Sequence, residues 1–503
     1  MPRFHARLFD PRVALVTLVL GCYGFFYQAG GWNQNSRFDL TRAMVERHTL
    51  RIDAYVRNTG DDSKRDGHFY CDKAPVVSWL GVPTHAVLWY AAGQPAQPSP
   101  RLLAWSAYLA TVAAVAVPSA IAAGFLFALL GALGLSAAWA AATTLAYALA
   151  TLAFPYSTLL YGHQLVAALH LIAFALLVPL RGGHREATPG RLAAIGALLG
   201  TAVAVEYPAA LGGAVLGLYA LAVLTPRART LGWIVLGGVV PVVLLGAYHA
   251  SAFGGPLVLP YTFSTQKHRH MGWFMGLGVP DRHVLAQLLW SARRGLLYSA
   301  PWLALALPGL VLWARRAATR AEAAVCVAII VLHLWLNSSL VDWDGGWCAG
   351  PRYLVSCLPF VVVGVAGVVH AAASWPRAAR LVLAVGAGAL VALSLYLMLA
   401  CTAVKPEVPS SVRAPFADYL LPAWRRGDLG VSTQSIDRAD APAGAPPEAW
   451  NLGQRIGLEG KTSLLPLLVW VLATGAWLVL AVRRNPHTGA ADARGDAAAR
   501  VAS

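Results

Sequence analysis

The stretch LVLAVGAGALVALSLYLMLAC, residues 381–401, runs for 21 residues without a charge between Arg380 and Lys405. A helix needs roughly 20 apolar residues to cross the hydrocarbon of a bilayer. It must also satisfy its backbone hydrogen bonds within itself, which such a run can do only as a helix. Working outward, comparable runs cover about 13–27, 103–131, 136–154, 162–180, 191–206, 208–224, 231–251, 296–313, 322–338, 354–371 and 463–481. The spacing predicts an all-α, polytopic membrane bundle of about twelve spans. Composition agrees: 57% of the 503 residues are hydrophobic, only 12% are charged, and mean hydropathy is +0.57. A soluble domain carries about twice that charge, so a soluble enzyme, a disulfide scaffold and a disordered chain are excluded.

The net charge of +16 does not point to nucleic acid, because the basic residues are dispersed among the connections and form no patch interleaved with aromatics. Contact with the phosphates of membrane lipids is the partner they suit. The positive-inside rule groups the short Arg-bearing connections at Arg181/Arg185, Arg227/Arg229, Arg315/Arg316/Arg320, Arg377/Arg380 and Arg483/Arg484 on one side with the N-terminus. That grouping holds only if Pro75–Tyr90 does not span, so this segment is expected to lie at the outer interface as a half-inserted helix. The reading divides the chain into a core over 1–401 with a first outer loop at 31–102, an outer loop or lid at 402–462, a last span at 463–482, and a disordered cytoplasmic tail at 483–503. Both termini are then cytoplasmic. The Ala/Gly/Arg bias and an uncleaved first span fit a bacterial inner membrane.

Polar residues gather in the outer connections. The first loop should form a short helix capped by Ser36, with Asp39, Arg42 and Glu46 along it. It continues RIDAYVRNTGDDSKRDGHFYCDKAP, residues 51–75. A carboxylate here, Asp39 or alternatively Asp53 or Asp66, has the chemistry of a general base towards an acceptor hydroxyl or amine. Lys73 has the charge to neutralise a departing phosphate, and His68 belongs to the same loop. In YGHQLVAALH, 161–170, His163 stands at the outer end of a span, where an ionisable group is a functional candidate. Glu206, in a tight turn with Pro208, is expected to help position the first loop. In TQKHRHMGWF, 265–274, His268 and His270 have a spacing that an extended backbone could turn towards a metal. In VDWDGGWCAGPRYLVS, 341–356, Asp342, Trp343 and Trp347 offer polar and sugar-facing surfaces, and Arg352 a guanidinium suited to a polyprenyl phosphate.

Arg37-Phe38, a helical stretch and then DGHFYCDKAPVVSWL at 66–80 resemble the first outer loop of the GT-C superfamily of membrane glycosyltransferases. The likeness is strongest to the branch of protein O-mannosyltransferases and lipid A aminoarabinose transferases. That branch reads approximately DE-x-RY, a helix, then G-x-x-YFEKPPLxYW. Asp72 falls on its Glu, Lys73 on its Lys, Pro75 on its second Pro and Trp79 on its Trp. The acidic pair before RY is replaced here by Gln34 and Asn35, which leaves the identity of the base open.

The resemblance implies transfer of a sugar from a polyprenyl-phosphate donor at the outer face. Lys73, Arg352, Arg37 and His163 would serve the lipid phosphate. It also implies a divalent metal joining Asp72 to His268 or His270. Two other classes are weighed against it. A transporter or lipid flippase should carry charges near the bilayer midplane and an internal repeat, neither of which is evident. A GT-C-shaped scaffold without catalysis is the reading that the missing acidic pair supports.

Overall fold

The computed structural model describes residues 9–485 apart from 182, 184, 441 and 443. The expected tail from 486 onward lies outside the described residues. Each of the twelve apolar runs overlaps an apolar helix. Seven of these helices are long and apolar enough to cross a membrane: Pro100–Ala132, Gly162–Arg181, Arg227–Phe253, Arg320–Ser338, Arg352–Ala372, Arg377–Val404 and Gly460–Arg484. Five shorter apolar helices accompany them: Pro11–Tyr23 (α1), Ala137–Leu149, Pro189–Val205, Ala209–Val223 and Pro301–Arg315. Several begin at a side-chain cap followed by proline, where the missing N–H costs nothing. Asp10, Ser99 and Thr188 each accept from a first-turn N–H in this way.

The helices Pro100–Ala132, Gly162–Arg181 and Arg352–Ala372 are mostly buried and form the centre of the bundle. Arg227–Phe253, Arg377–Val404 and Gly460–Arg484 lie outside it and present Val243, Leu244, Val382, Val385 and Val469 outward. An apolar helix that is exposed in this way needs lipid around it.

The connections expected on one side come together at one end of the bundle. Gln34 meets Glu407, Arg37 meets Glu206, and Ser63 meets the Pro260 carbonyl. The Ala349 N–H donates to the Pro406 carbonyl. At the other end Arg181 pairs with Glu322, and Asn485 donates to the Phe9 carbonyl.

The first loop is more structured than its polarity suggested. Its helix α2 spans Trp32–Glu46 with Gly31 as N-cap. Ser36 is therefore inside the helix rather than capping it, and its hydroxyl donates to the Asp61 carbonyl. Two short antiparallel pairings, which the all-α reading did not anticipate, complete this end. Phe26–Tyr27 (β1) pairs with Trp450–Asn451 (β4), tying the end of α1 to the last loop. Asp62–Arg65 (β2) and His68–Cys71 (β3) form a hairpin turned by Asp66 and Gly67 at φ 51° and 81°. Those angles suit the two-residue turn that Asp-Gly favours. Val76–Ala91 (α3) follows and packs on α2.

Candidate active site

The loops at this end enclose a polar cavity of about 370 Å³. Each element contributes for a local reason. The hairpin delivers Asp61 just before β2 and Asp72-Lys73 just after β3, so the register of two strands brings these three side chains together. The Lys73 ammonium lies 2.9 Å from Asp61 and 3.0 Å from Asp72. Burial works against its charge, but the two carboxylates more than compensate and hold its pKa above the usual lysine value. Burial likewise opposes the Asp61 charge, yet Lys73 brings that carboxyl below its ordinary range. Lys73 thus lines the cavity as expected, with its charge already balanced.

Two guanidiniums also line the cavity. Arg352 lies over the rings of Tyr353 and Tyr161, at 5.0 and 5.8 Å, and donates to the Tyr353 hydroxyl at 3.1 Å. Gly345, at φ 70°, gives it room, since a Cβ there would fall 2.7 Å from Arg352 Nε. Arg269 lies 4.2 Å over the Tyr261 ring. The Nε of each is buried without a hydrogen-bond partner, and neither forms an ion pair among the described residues. Nearby carboxylates act on both without forming an ion pair, Asp72 and Asp61 on Arg269 and Asp342 on Arg352, so each keeps unused donors for an anion in the cavity.

A second, mainly apolar cavity of about 270 Å³ adjoins the first between helices, lined by Val166, Leu211, Leu336 and Leu340 among others. Both cavities are walled by Asn33, Lys73, Arg269 and Arg352. His163 and Glu206 line the apolar one. Asp342, Trp347, His268 and Asp72 line the polar one.

Other expected residues stand elsewhere. Asp39 is fully buried and accepts from Asn58 at 3.2 Å, and burial pushes its carboxyl well above the usual range. It lies six residues from Asn33, which lines both cavities, and so about 120° around the helix from it, and it lines neither cavity. Asp53 pairs with His68 at 2.8 Å on the exposed back of the hairpin. Asp66 is a turn residue, 78% exposed and paired with Arg65. Arg37 lies outside both cavities: fully buried, it holds Glu206 at 2.5 Å and Asn33 at 3.1 Å. It therefore positions Glu206 and Asn33, in line with the expected link from Glu206 to the first loop. Trp343 faces Arg293 instead of the cavity.

Of the expected metal donors, Asp72 and His268 share the wall of the polar cavity, and His268 Nε2 is buried without a hydrogen-bond partner. Asp72 is taken by Lys73, and His270 Nε2 contacts the Ser264 carbonyl at 2.6 Å. No group of three or more His, Cys, Asp or Glu side chains with metal-binding geometry occurs among the described residues.

Sequence reasoning missed three residues. Arg269 sits between the two histidines that drew attention instead. Asp61 was one of several carboxylates in its loop, and only the hairpin register singles it out. Glu407, in the last loop, lines the cavity while accepting from Gln34 Nε2 at 2.7 Å and the Tyr161 hydroxyl at 2.6 Å. No local pattern marks it.

No protein-family model matches the chain, and no curated protein matches it either. Among solved structures, the chain is similar to ArnT from Cupriavidus metallidurans bound to undecaprenyl phosphate. That similarity has a TM-score of 0.50 and 19% identity, covering 95% of this chain and 76% of that one. The apo state of the same protein aligns over the same shares at TM-score 0.47 and 20% identity. The first similarity shows a common architecture: the chain has a GT-C-like membrane fold.

Proposed function

We propose that this protein is a membrane glycosyltransferase that takes a sugar from a polyprenyl-phosphate donor and passes it to an acceptor in the polar cavity. The observation that carries this reading is the shared wall, where two guanidiniums with no direct ion pair among the described residues separate an apolar cavity from a polar one. A polyprenyl-phosphate sugar has the same sequence of parts: an apolar chain, an anionic phosphate and a polar sugar. The fold neighbour solved with undecaprenyl phosphate supports the same assignment. The phosphate would sit between Arg269 and Arg352, the chain would leave along the apolar cavity, and the sugar would face Asp342 and Trp347. As the acceptor attacks the anomeric carbon, the bond from that carbon to the phosphate oxygen breaks. The two guanidiniums then stabilise charge on the leaving phosphate, which is where fixed donors contribute most. In a bacterial inner membrane the cavity would open to the periplasmic face.

Mass spectrometry of the purified protein tests this. Wild-type protein should retain a polyprenyl phosphate or its sugar conjugate, and Arg269→Ala and Arg352→Ala should each lose it. Retention of the lipid by both variants, or bulk phospholipid alone on the wild type, overturns the reading.

A further inference from the structure

Several carboxylates line the polar cavity, and they differ in what already holds them. Asp61 and Asp72 are committed to Lys73. Asp342 accepts from the Tyr353 hydroxyl at 3.2 Å, beside Arg352. Asp440 stands exposed at the rim. Glu407 is different: it is buried, it faces the cavity, and its two bonds come from neutral donors, Gln34 and Tyr161. A carboxylate offers about four acceptor positions, so two contacts leave room for an acceptor hydroxyl or amine. Tyr161 also lies beneath Arg352, so one side chain touches both Glu407 and a guanidinium assigned to the phosphate.

We infer that Glu407 is the catalytic base of this protein, receiving the proton of the acceptor as it attacks the sugar. The inference rests on the glycosyl-transfer reading and adds the residue that reading lacks. In the step, the acceptor O–H or N–H proton passes to a Glu407 carboxylate oxygen. The acceptor's electron pair forms the new bond to the anomeric carbon, and the bond to the phosphate oxygen breaks. Its electron pair leaves on the polyprenyl phosphate, facing Arg269 and Arg352. Glu407 then releases its proton to water, and no other reactant is needed.

The charge state of Glu407 suits this work. Burial raises its carboxyl to about 7, against the opposing pull of the Tyr161 bond, the Lys405 charge, the Gln34 bond and the Arg352 charge. A base poised near neutrality is close to optimal for proton transfer. The location also answers a question left by the sequence. Gln34 replaces an acid of the pattern this loop resembles, and a carboxylate from a segment 373 residues away contacts that Gln34. The acid absent from α2 is thereby supplied by the last loop.

The test uses the full chain in nanodiscs with membrane extract as acceptor source and undecaprenyl-phosphate hexoses and pentoses as donors. It reads free undecaprenyl phosphate released, with bound lipid measured in parallel. Wild type should release the lipid with a rate that rises with pH through about 7 and levels off above it. Glu407→Gln should keep the bound lipid but slow release by about 10²–10⁴-fold. Glu407→Asp should restore part of the rate together with the pH bend, which a purely structural role would not do. Release by Glu407→Gln near the wild-type rate overturns the inference and leaves the glycosyltransferase reading standing. Loss of bound lipid from Glu407→Gln, or a wild type that binds lipid yet releases none from any donor, also overturns it. A wild type with neither bound lipid nor release removes the glycosyltransferase reading itself, and the inference with it.

Discussion

At the residue scale, the geometry of Glu407 depends on an absent side chain. A Cβ at Gly31 would fall 2.5 Å from one Glu407 carboxylate oxygen and 2.7 Å from the other. The Gly31 backbone is extended, at φ 165° and ψ 155°, so glycine is needed there for space and not for conformation. The intruding methyl would meet the end of a flexible side chain, which moves at little cost. Gly31→Ala should therefore displace the carboxylate while leaving the fold intact. The expected result is a release rate close to that of Glu407→Gln, with bound lipid retained and thermal unfolding in detergent essentially unchanged. A Gly31→Ala protein with full activity would show that the position of this carboxylate does not matter to the reaction. The same residues show why the site was only partly legible. Arg352 and Lys73 could be found because each lies in a short, distinctive segment. Glu407 and Asp61 acquire meaning only from partners brought to them by the fold, 373 residues away for Gln34 and 12 for Lys73.

At the element scale, apolar runs of the length a bilayer demands identified every long helix, because hydrocarbon leaves so few backbone solutions. The polar first loop had no such constraint, and there the reading failed. A loop rich in Asp and Lys looks solvated, yet α2 buries Gln34, Asn35, Arg37 and Asp39 against partners from other segments: Glu407 for Gln34, the Asn58 and Ser435 carbonyls for Asn35, Glu206 for Arg37 and the Asn58 side chain for Asp39. The Asp66-Gly67 pair was a usable hairpin signal, read instead as a source of carboxylates. This turn places Asp61, Asp72 and Lys73, so its strain can be measured separately from its packing. A Cβ on Gly67 would meet nothing within 4 Å, while φ there is 81°. Gly67→Ala should then cost about 1–2 kcal/mol from backbone handedness alone. Gly67→Asn should cost less, since Asn visits that region more readily. Equal losses for the two, followed by thermal unfolding, would mean that the turn is not limited by backbone conformation.

At the scale of the whole molecule, charge and hydropathy sort the connections into two sets, and the structure gathers each set at its own end. Ion pairs mark both ends, Arg37–Glu206 near the cavity and Arg181–Glu322 opposite. A transporter would place its ionisable groups near the midplane, between the two ends. Here the cavity and its guanidiniums lie at one end, where a lipid phosphate at the membrane surface could reach them. The arrangement makes a definite prediction about sidedness. Ala54, in the first loop, and Ala317, between Pro301–Arg315 and Arg320–Ser338, are both exposed and belong to opposite ends. All six native cysteines are buried, so they should remain silent towards a bulky thiol reagent. In intact cells, a membrane-impermeant maleimide should label Ala54→Cys and spare Ala317→Cys until the membrane is opened. The reverse pattern would turn the cavity towards the cytoplasm and require a donor made available on that side. Labelling of both from outside would mean that the two ends do not face different compartments, and the spanning assignment would fall.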